Sequence, residues 1–136
     1  MTMASRAISA YVQTGIESGV PEADAHRLVA MLFDGALSAI ADARLKLNAG
    51  DIPGRGSAIS KAIAIVEQGL RASLDKSQGG ELAARLDGLY EYIVGRLFHA
   101  NLRSEPEALD EASKLLGELQ EGWAGIGAPQ REAAFV

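Results

Sequence analysis

Two histidines, His26 and His99, are the first residues to test for chemistry, and no cysteine accompanies them. The lack of cysteine excludes disulfides, thiolate metal sites and a thiol nucleophile. A reducing compartment fits that composition. A di-metal carboxylate centre in a helical bundle draws on Glu-x-x-His pairs facing inward. Position 23 is Ala and position 96 is Arg, so neither histidine has its glutamate. No metal site is expected. His26 reads as exposed in a first helical turn, and His99 as lying near the polar edge of its helix. Gly54-Arg55-Gly56 is too short for a dinucleotide fingerprint, and no Gly-Lys-Ser/Thr phosphate loop exists. Serines are present, but neither histidine is set in a base-and-orienter arrangement. Glu107, Asp110, Glu111, Glu118 and Glu121 fall opposite the leucines of the last helical segment. A solvated face explains them better than paired acid–base work. No catalytic residue and no cofactor is therefore expected, and the chain reads as a non-enzyme.

What must position any functional residue is a single small domain. The chain has 136 residues, 48% of them apolar and 23% charged, which suffices for a globular core. The net charge is −5 and the 13 basic residues are scattered, which argues against nucleic-acid binding. The apolar run from Leu28 to Phe33 is closed by Asp34, so no segment inserts into a bilayer. Residues 1–11 carry one Arg6 and no apolar core of a secretory signal, so a cytoplasmic location is expected.

Four segments carry helical periodicity. The first runs from about Ala25 to Ala49, with Asp24 as N-cap and Gly50 as stop. Its Leu28, Val29, Leu32, Phe33, Ala36, Ile40, Ala43 and Leu47 share an arc of about 140°. The second runs from Pro53 or Ser57 to Asp75, with Ile59, Ile63, Val66, Leu70 and Leu74 as its main stripe. Gly54 and Gly56 blur its start. The third runs from Gly80 to Leu102, lined by Leu82, Leu86, Leu89, Tyr90, Ile93, Leu97 and Ala100. The fourth runs from Glu105 to Gly125, with Ser104 as N-cap, Pro106 in the first turn and Glu107 three residues after the cap. Its face is Leu109, Ala112, Leu115, Leu116, Leu119 and Trp123. No long period-two alternation occurs, so the fold class is all-α. Long helices joined by short loops imply an antiparallel up-down four-helix bundle. Residues 1–19 read as an N-terminal arm or cap, 20–125 as the bundle and 126–136 as a flexible tail.

Surplus apolar residues remain. The second helix has a weaker stripe of Ala58, Ile65, Gly69 and Ala72, and the third has Val94, Phe98 and Leu102 beyond its main arc. Met31, Leu37 and Leu45 lie outside the arc of the first. Clusters on neighbouring helices would form a groove for an amphipathic segment; wider core packing is the alternative. Ile65, Ala72, Val94 and Phe98 are the groove candidates. Tyr92 projects off the main arc as a surface contact, whereas Leu89, Tyr90 and Leu97 belong to the core. Ile8, Tyr11 and Val12 in the arm have the spacing of a short amphipathic turn.

An ordered set of motifs is similar to one known family, the flagellar secretion chaperones for flagellin (FliS). The first helix carries Met31-Leu32-Phe33-Asp34-Gly35-Ala36. The second carries Ser60-Lys61-Ala62-Ile63, Leu70 and Leu74-Asp75. The third carries Gly79-Gly80-Glu81-Leu82-Ala83, Leu89-Tyr90-Glu91-Tyr92, Arg96-Leu97 and Ala100-Asn101. Trp123 matches the family's aromatic near the end of the last helix, and the resemblance runs from about Ala7 to Trp123. Ala25 departs from the Ser-Pro that often opens the first helix in relatives. The resemblance implies a chaperone that covers the disordered C-terminal segment of flagellin, prevents premature filament assembly and docks on the cytoplasmic part of the export gate. It implies that Ile8 and Tyr11 act as cap residues. Asp34 and Asn101 could bond a partner or serve helix caps and surfaces. A self-associating regulatory or structural homodimer is the alternative reading.

Overall fold

A computed structural model of the chain describes residues 22–126. It contains α1 (Glu22–Asn48), α2 (Ile52–Ala64), which continues as a π-helical turn over Ile65–Arg71, α3 (Lys76–Arg103) and α4 (Pro106–Ile126). No strand occurs among the described residues. Neighbours in sequence are antiparallel neighbours in space. Arg44 and Asp34 of α1 reach Asp110 and Gln120 of α4, and Arg55 and Arg71 reach Asn101 and Asp87 of α3. α1 and α3 sit on one diagonal of the bundle, and α2 and α4 on the other.

The expected stripes make the interior. Val29, Phe33, Ala36, Ile40 and Ala43 of α1 are buried, as are Ile59, Val66 and Leu70 of α2 and its π turn. Tyr90, Ile93, Leu97 and Ala100 of α3 meet Leu109, Ala112, Leu116 and Trp123 of α4. Each large side chain of this set contributes roughly 1.5–3 kcal/mol of burial. Leu28 is an exception: it is exposed at the edge of the arc, which is wider than the buried stripe. Ala58, expected on an outer stripe, is buried.

Helix ends differ from expectation where backbone geometry decides. α1 starts at Glu22, so Asp24 lies inside its first turn and is not the N-cap. Its end is as expected. Gly50 adopts φ +73°, its N–H donates to Leu47 O (3.2 Å) and the Asp51 N–H donates to Lys46 O (2.9 Å). This is a Schellman closure with glycine in the left-handed position. Asp51 then caps α2, accepting from the Gly54 N–H at 3.0 Å, and Pro53 occupies the first turn. α2 thus begins earlier than either expected start. A Cβ on Gly54 would fall 2.3 Å from Asp51 Oδ2, so glycine is what lets the cap close. α3 opens with one turn from Lys76, and Gly80 (φ 55°, ψ −130°) breaks it from the main helix. Ser104 is not the N-cap of α4. It has φ +53° at the end of α3, where the Glu105 N–H donates to Ala100 O at 3.2 Å, a second Schellman bond.

The π turn has a sequence cause. Ala62, Val66, Leu70 and Leu74 succeed one another at four-residue steps, and all are buried. In an α-helix each such step drifts by about 40°, so the two steps from Ala62 to Leu70 would carry Leu70 about 80° off the core; Leu74 lies just past the helical residues. The wider i→i+5 turn absorbs that drift, and the Ala72 N–H donates to Glu67 O at 3.0 Å. Gly69 permits close approach to α1, since a Cβ there would lie 2.9 Å from Leu32 Cδ2.

Candidate partner-binding surface

The π turn and α3 together shape an open groove of about 520 Å³ on the outside of the bundle. Ser60, Ile63 and Ala64 of α2, Glu67 and Gln68 of the π turn and Ala72 beyond it form one wall; Phe98 of α3 forms the other. Phe98 is 61% exposed although it follows the fully buried Leu97. Leu102, one turn further along α3, is 79% exposed, and Ile52 at the start of α2 is 64% exposed. The ring and the small and aliphatic side chains give the groove an apolar floor, edged by Ser60, Glu67 and Gln68, of the kind that suits an apolar side chain.

The expected contact residues do not all converge here. Ala72 and Phe98 line the groove. Ile65 turns to the opposite side of α2, where its Cδ1 packs over Gly35 of α1, 3.3 Å from where a Cβ would be. Val94 is 8% exposed and belongs to the core rather than to the groove. Tyr92 is 48% exposed on the α4 side, its hydroxyl donating to Glu111 Oε2 at 2.8 Å. That bond to a carboxylate holds the phenol proton and raises its pKa. Ile8 and Tyr11 lie outside the described residues. Ile63 lines the groove although the main stripe assigns it to the core; its half-buried position at the stripe's edge serves both.

Charged residues bracket the groove. Near one end, Arg71 Nη1 donates to Glu67 Oε1 (2.8 Å) and Nε to Asp87 Oδ1 (2.8 Å), with Glu91 Oε2 at 3.6 Å. Lys76 Nζ lies 3.4 Å from the other Asp87 oxygen. The Arg71 hydrogen bond is the largest influence on Asp87 and holds its carboxyl below the usual range, against the opposing effect of burial. The Asp87 and Glu67 hydrogen bonds push Arg71 further up. Near the other end, Arg55 is buried and donates to Ser104 Oγ (2.7 Å) and Asn101 O (3.1 Å). Asn101 and Asp34 thus have internal partners, Arg55 and Gln120.

The remaining polar candidates are also engaged within the fold. His26 is half-buried, not an exposed first-turn residue. It stacks on Trp123 with ring centroids 4.8 Å apart and an interplanar angle of 14°. Its Nε2 lies 2.9 Å from Trp123 O, and Trp123 Nε1 donates to His26 O at 2.8 Å. A carbonyl only accepts, so Nε2 carries the proton. His99 pairs with Glu105. Two of the carboxylates expected on a solvated face also make ion pairs there: the exposed Asp110 with Arg44 of α1 and the partly exposed Glu111 with Arg96 of α3. Among the described residues no group of three or more histidines and carboxylates could hold a metal ion. Nor is any helix there long and apolar enough to cross a membrane.

Comparison with known proteins matches the chain to one family. The model of the family described as flagellar protein FliS matches residues 7–130. The chain is 48% identical to the flagellar secretion chaperone FliS of Salmonella typhimurium over 119 residues, 88% of each chain. It is 46% identical to the flagellar secretion chaperone FliSB of Pseudomonas aeruginosa over 123 residues, 90% of this chain and 97% of the relative. It is 43% identical to the Escherichia coli flagellar secretion chaperone FliS over 120 residues, 88% of each. The chain belongs to the FliS family of flagellar proteins, a family of secretion chaperones rather than enzymes.

Proposed function

We propose that the chain binds the C-terminal segment of flagellin in the cytoplasm, prevents its premature assembly and delivers it to the flagellar export gate. The observation that carries this reading is the family match over residues 7–130. Flagellin's segment lies along the α2–α3 groove, where Phe98 and Ala72 take its apolar side chains, and extends toward Leu102 and Ile52. Residues 1–19 form an arm whose Ile8 and Tyr11 compete for apolar surface, 20–125 form the binding body, and 126–136 form a tail. Of the other three candidates, Val94 lies in the core and Ile65 packs on α1, so Tyr92 is the one open to a partner that wraps the bundle. A segment that orders on binding loses conformational entropy, so its contact must be long to be stable. The loaded complex docks on the cytoplasmic domain of an export-gate membrane protein.

Calorimetry and size exclusion with light scattering, on the purified chain and flagellin, test the proposal. Co-elution and binding heat are expected, and both vanish when the flagellin C-terminal segment is removed. Absence of both at micromolar concentrations rejects it. The exposed Ile52 and Leu102 favour self-association as a second reading; the same light scattering reports the mass of the free chain.

A further inference from the structure

The groove wall is built from an irregular piece of helix, and what holds that piece lies outside the groove. Glu67, Gln68 and Ala72 owe their positions to the π turn. From within, the turn is fixed by the buried Val66, Leu70 and Leu74. From without, it is fixed by Arg71, whose guanidinium joins Glu67 inside the turn to Asp87 on α3. Arg71, Asp87, Lys76 and Asp75 line a separate polar cavity of about 640 Å³, which shares Glu67 and Ala72 with the groove.

The geometry of this tether selects the register. Tightening the π turn to α geometry would rotate its last residue, Arg71, by about 100° about the axis of α2. That rotation would swing Arg71 away from Asp87. The Arg71–Asp87 pair therefore exists in the π register and stabilises it. We infer that Arg71 is a positioning residue for the partner groove: through Asp87 it holds the π turn, and with it the Glu67–Ala72 wall, in the shape that accepts an apolar helix. The polar cavity is then the control side of the groove, where a change of charge alters binding without touching the ligand.

This inference rests on the reading that a flagellin segment occupies the groove, and its test separates the two. Amide hydrogen exchange, thermal melting and calorimetric titration with flagellin are measured for the wild type, Asp87→Asn, Arg71→Lys and the charge swap Arg71→Asp/Asp87→Arg. Asp87→Asn should speed exchange at residues 66–72 while α1 and α4 stay protected, and weaken flagellin binding by about fivefold or more. The swap should recover part of both. Arg71→Lys keeps the charge but cannot span both carboxylates, so it should resemble Asp87→Asn. Unchanged exchange at 66–72 overturns the inference, as does faster local exchange with unaltered flagellin affinity. A uniform rise in exchange across all helices also overturns it, since that reports only lost stability. Failure of the wild type to bind flagellin rejects the functional reading instead.

Discussion

Arg55 and Arg71 both reach from the second helix to the third, yet they are held by different physics. Arg55 is buried and donates to a backbone carbonyl and a hydroxyl at the C-terminal end of α3, where the helix dipole favours a cation. Arg71 is half-exposed and meets carboxylates. The two should separate in acid. Arg55→Met leaves Asn101 O and Ser104 Oγ without their donor and should cost about 1–3 kcal/mol at any pH from about 3 to 7. The Asp87 carboxyl has a folded pKa below its unfolded value of about 3.9. Its pairing stabilises the protein above that value and is lost as pH falls through the folded pKa. Asp87→Asn should therefore melt below the wild type at neutral pH, and the gap should narrow once the pH falls below the unfolded carboxyl value of about 3.9. Melting curves by circular dichroism across that range check both. Neither arginine's role is legible in the chain: Gly54-Arg55-Gly56 is too short for a dinucleotide fingerprint and reads only as a blurred helix start, and only the antiparallel crossing brings Arg55 to Ser104.

The elements are legible where periodicity and burial agree, and less so at their ends. Apolar stripes in α1, α3 and α4 locate Phe33, Tyr90 and Leu116, all of them buried. The stripe in α2 also contains its irregularity, since repeated four-residue steps from Ala62 to Leu70 drift off a straight α-helical face. Ser104 has the residue type of an N-cap, whereas the crossing from α3 to α4 needs a left-handed residue and takes Ser104 for that role. Glycines separate these effects by experiment. Gly50 sits at φ +73° with open space where a Cβ would stand, so Gly50→Ala should lose about 1 kcal/mol or slightly more from backbone strain alone. Gly95 and Gly117 lie inside helices with equal space, so alanine at either should gain about 0.5–1 kcal/mol. Urea unfolding of the three variants tests the opposite signs.

At the scale of the whole molecule, the bundle closes its interior and leaves apolar side chains outside it. Trp123 and His26 lock the first helix to the last, and ion pairs from Arg44 and Arg96 hold α4 in place. Phe98 and Leu102 take no part in that closure. The sequence marks them as surplus because they fall beyond the main arc of α3, but it does not say which neighbour they face. Ile65 and Tyr92, equally off their arcs, turn to α1 and α4. Direction depends on how the helices are ordered around the core, which no single stripe encodes. The adjacent residues Leu97 and Phe98 make the distinction between holding the fold and offering a surface measurable. Leu97→Ala empties a fully buried position and should cost about 2–5 kcal/mol. Phe98→Ala removes a largely exposed ring and should change stability by no more than about 0.5 kcal/mol. If the groove receives flagellin, the order reverses in binding: Phe98→Ala weakens the complex by about tenfold or more, as loss of a central aromatic contact does, while its melting curve stays near that of the wild type. A Phe98→Ala variant that binds flagellin with unchanged affinity would move the binding surface away from the α2–α3 groove.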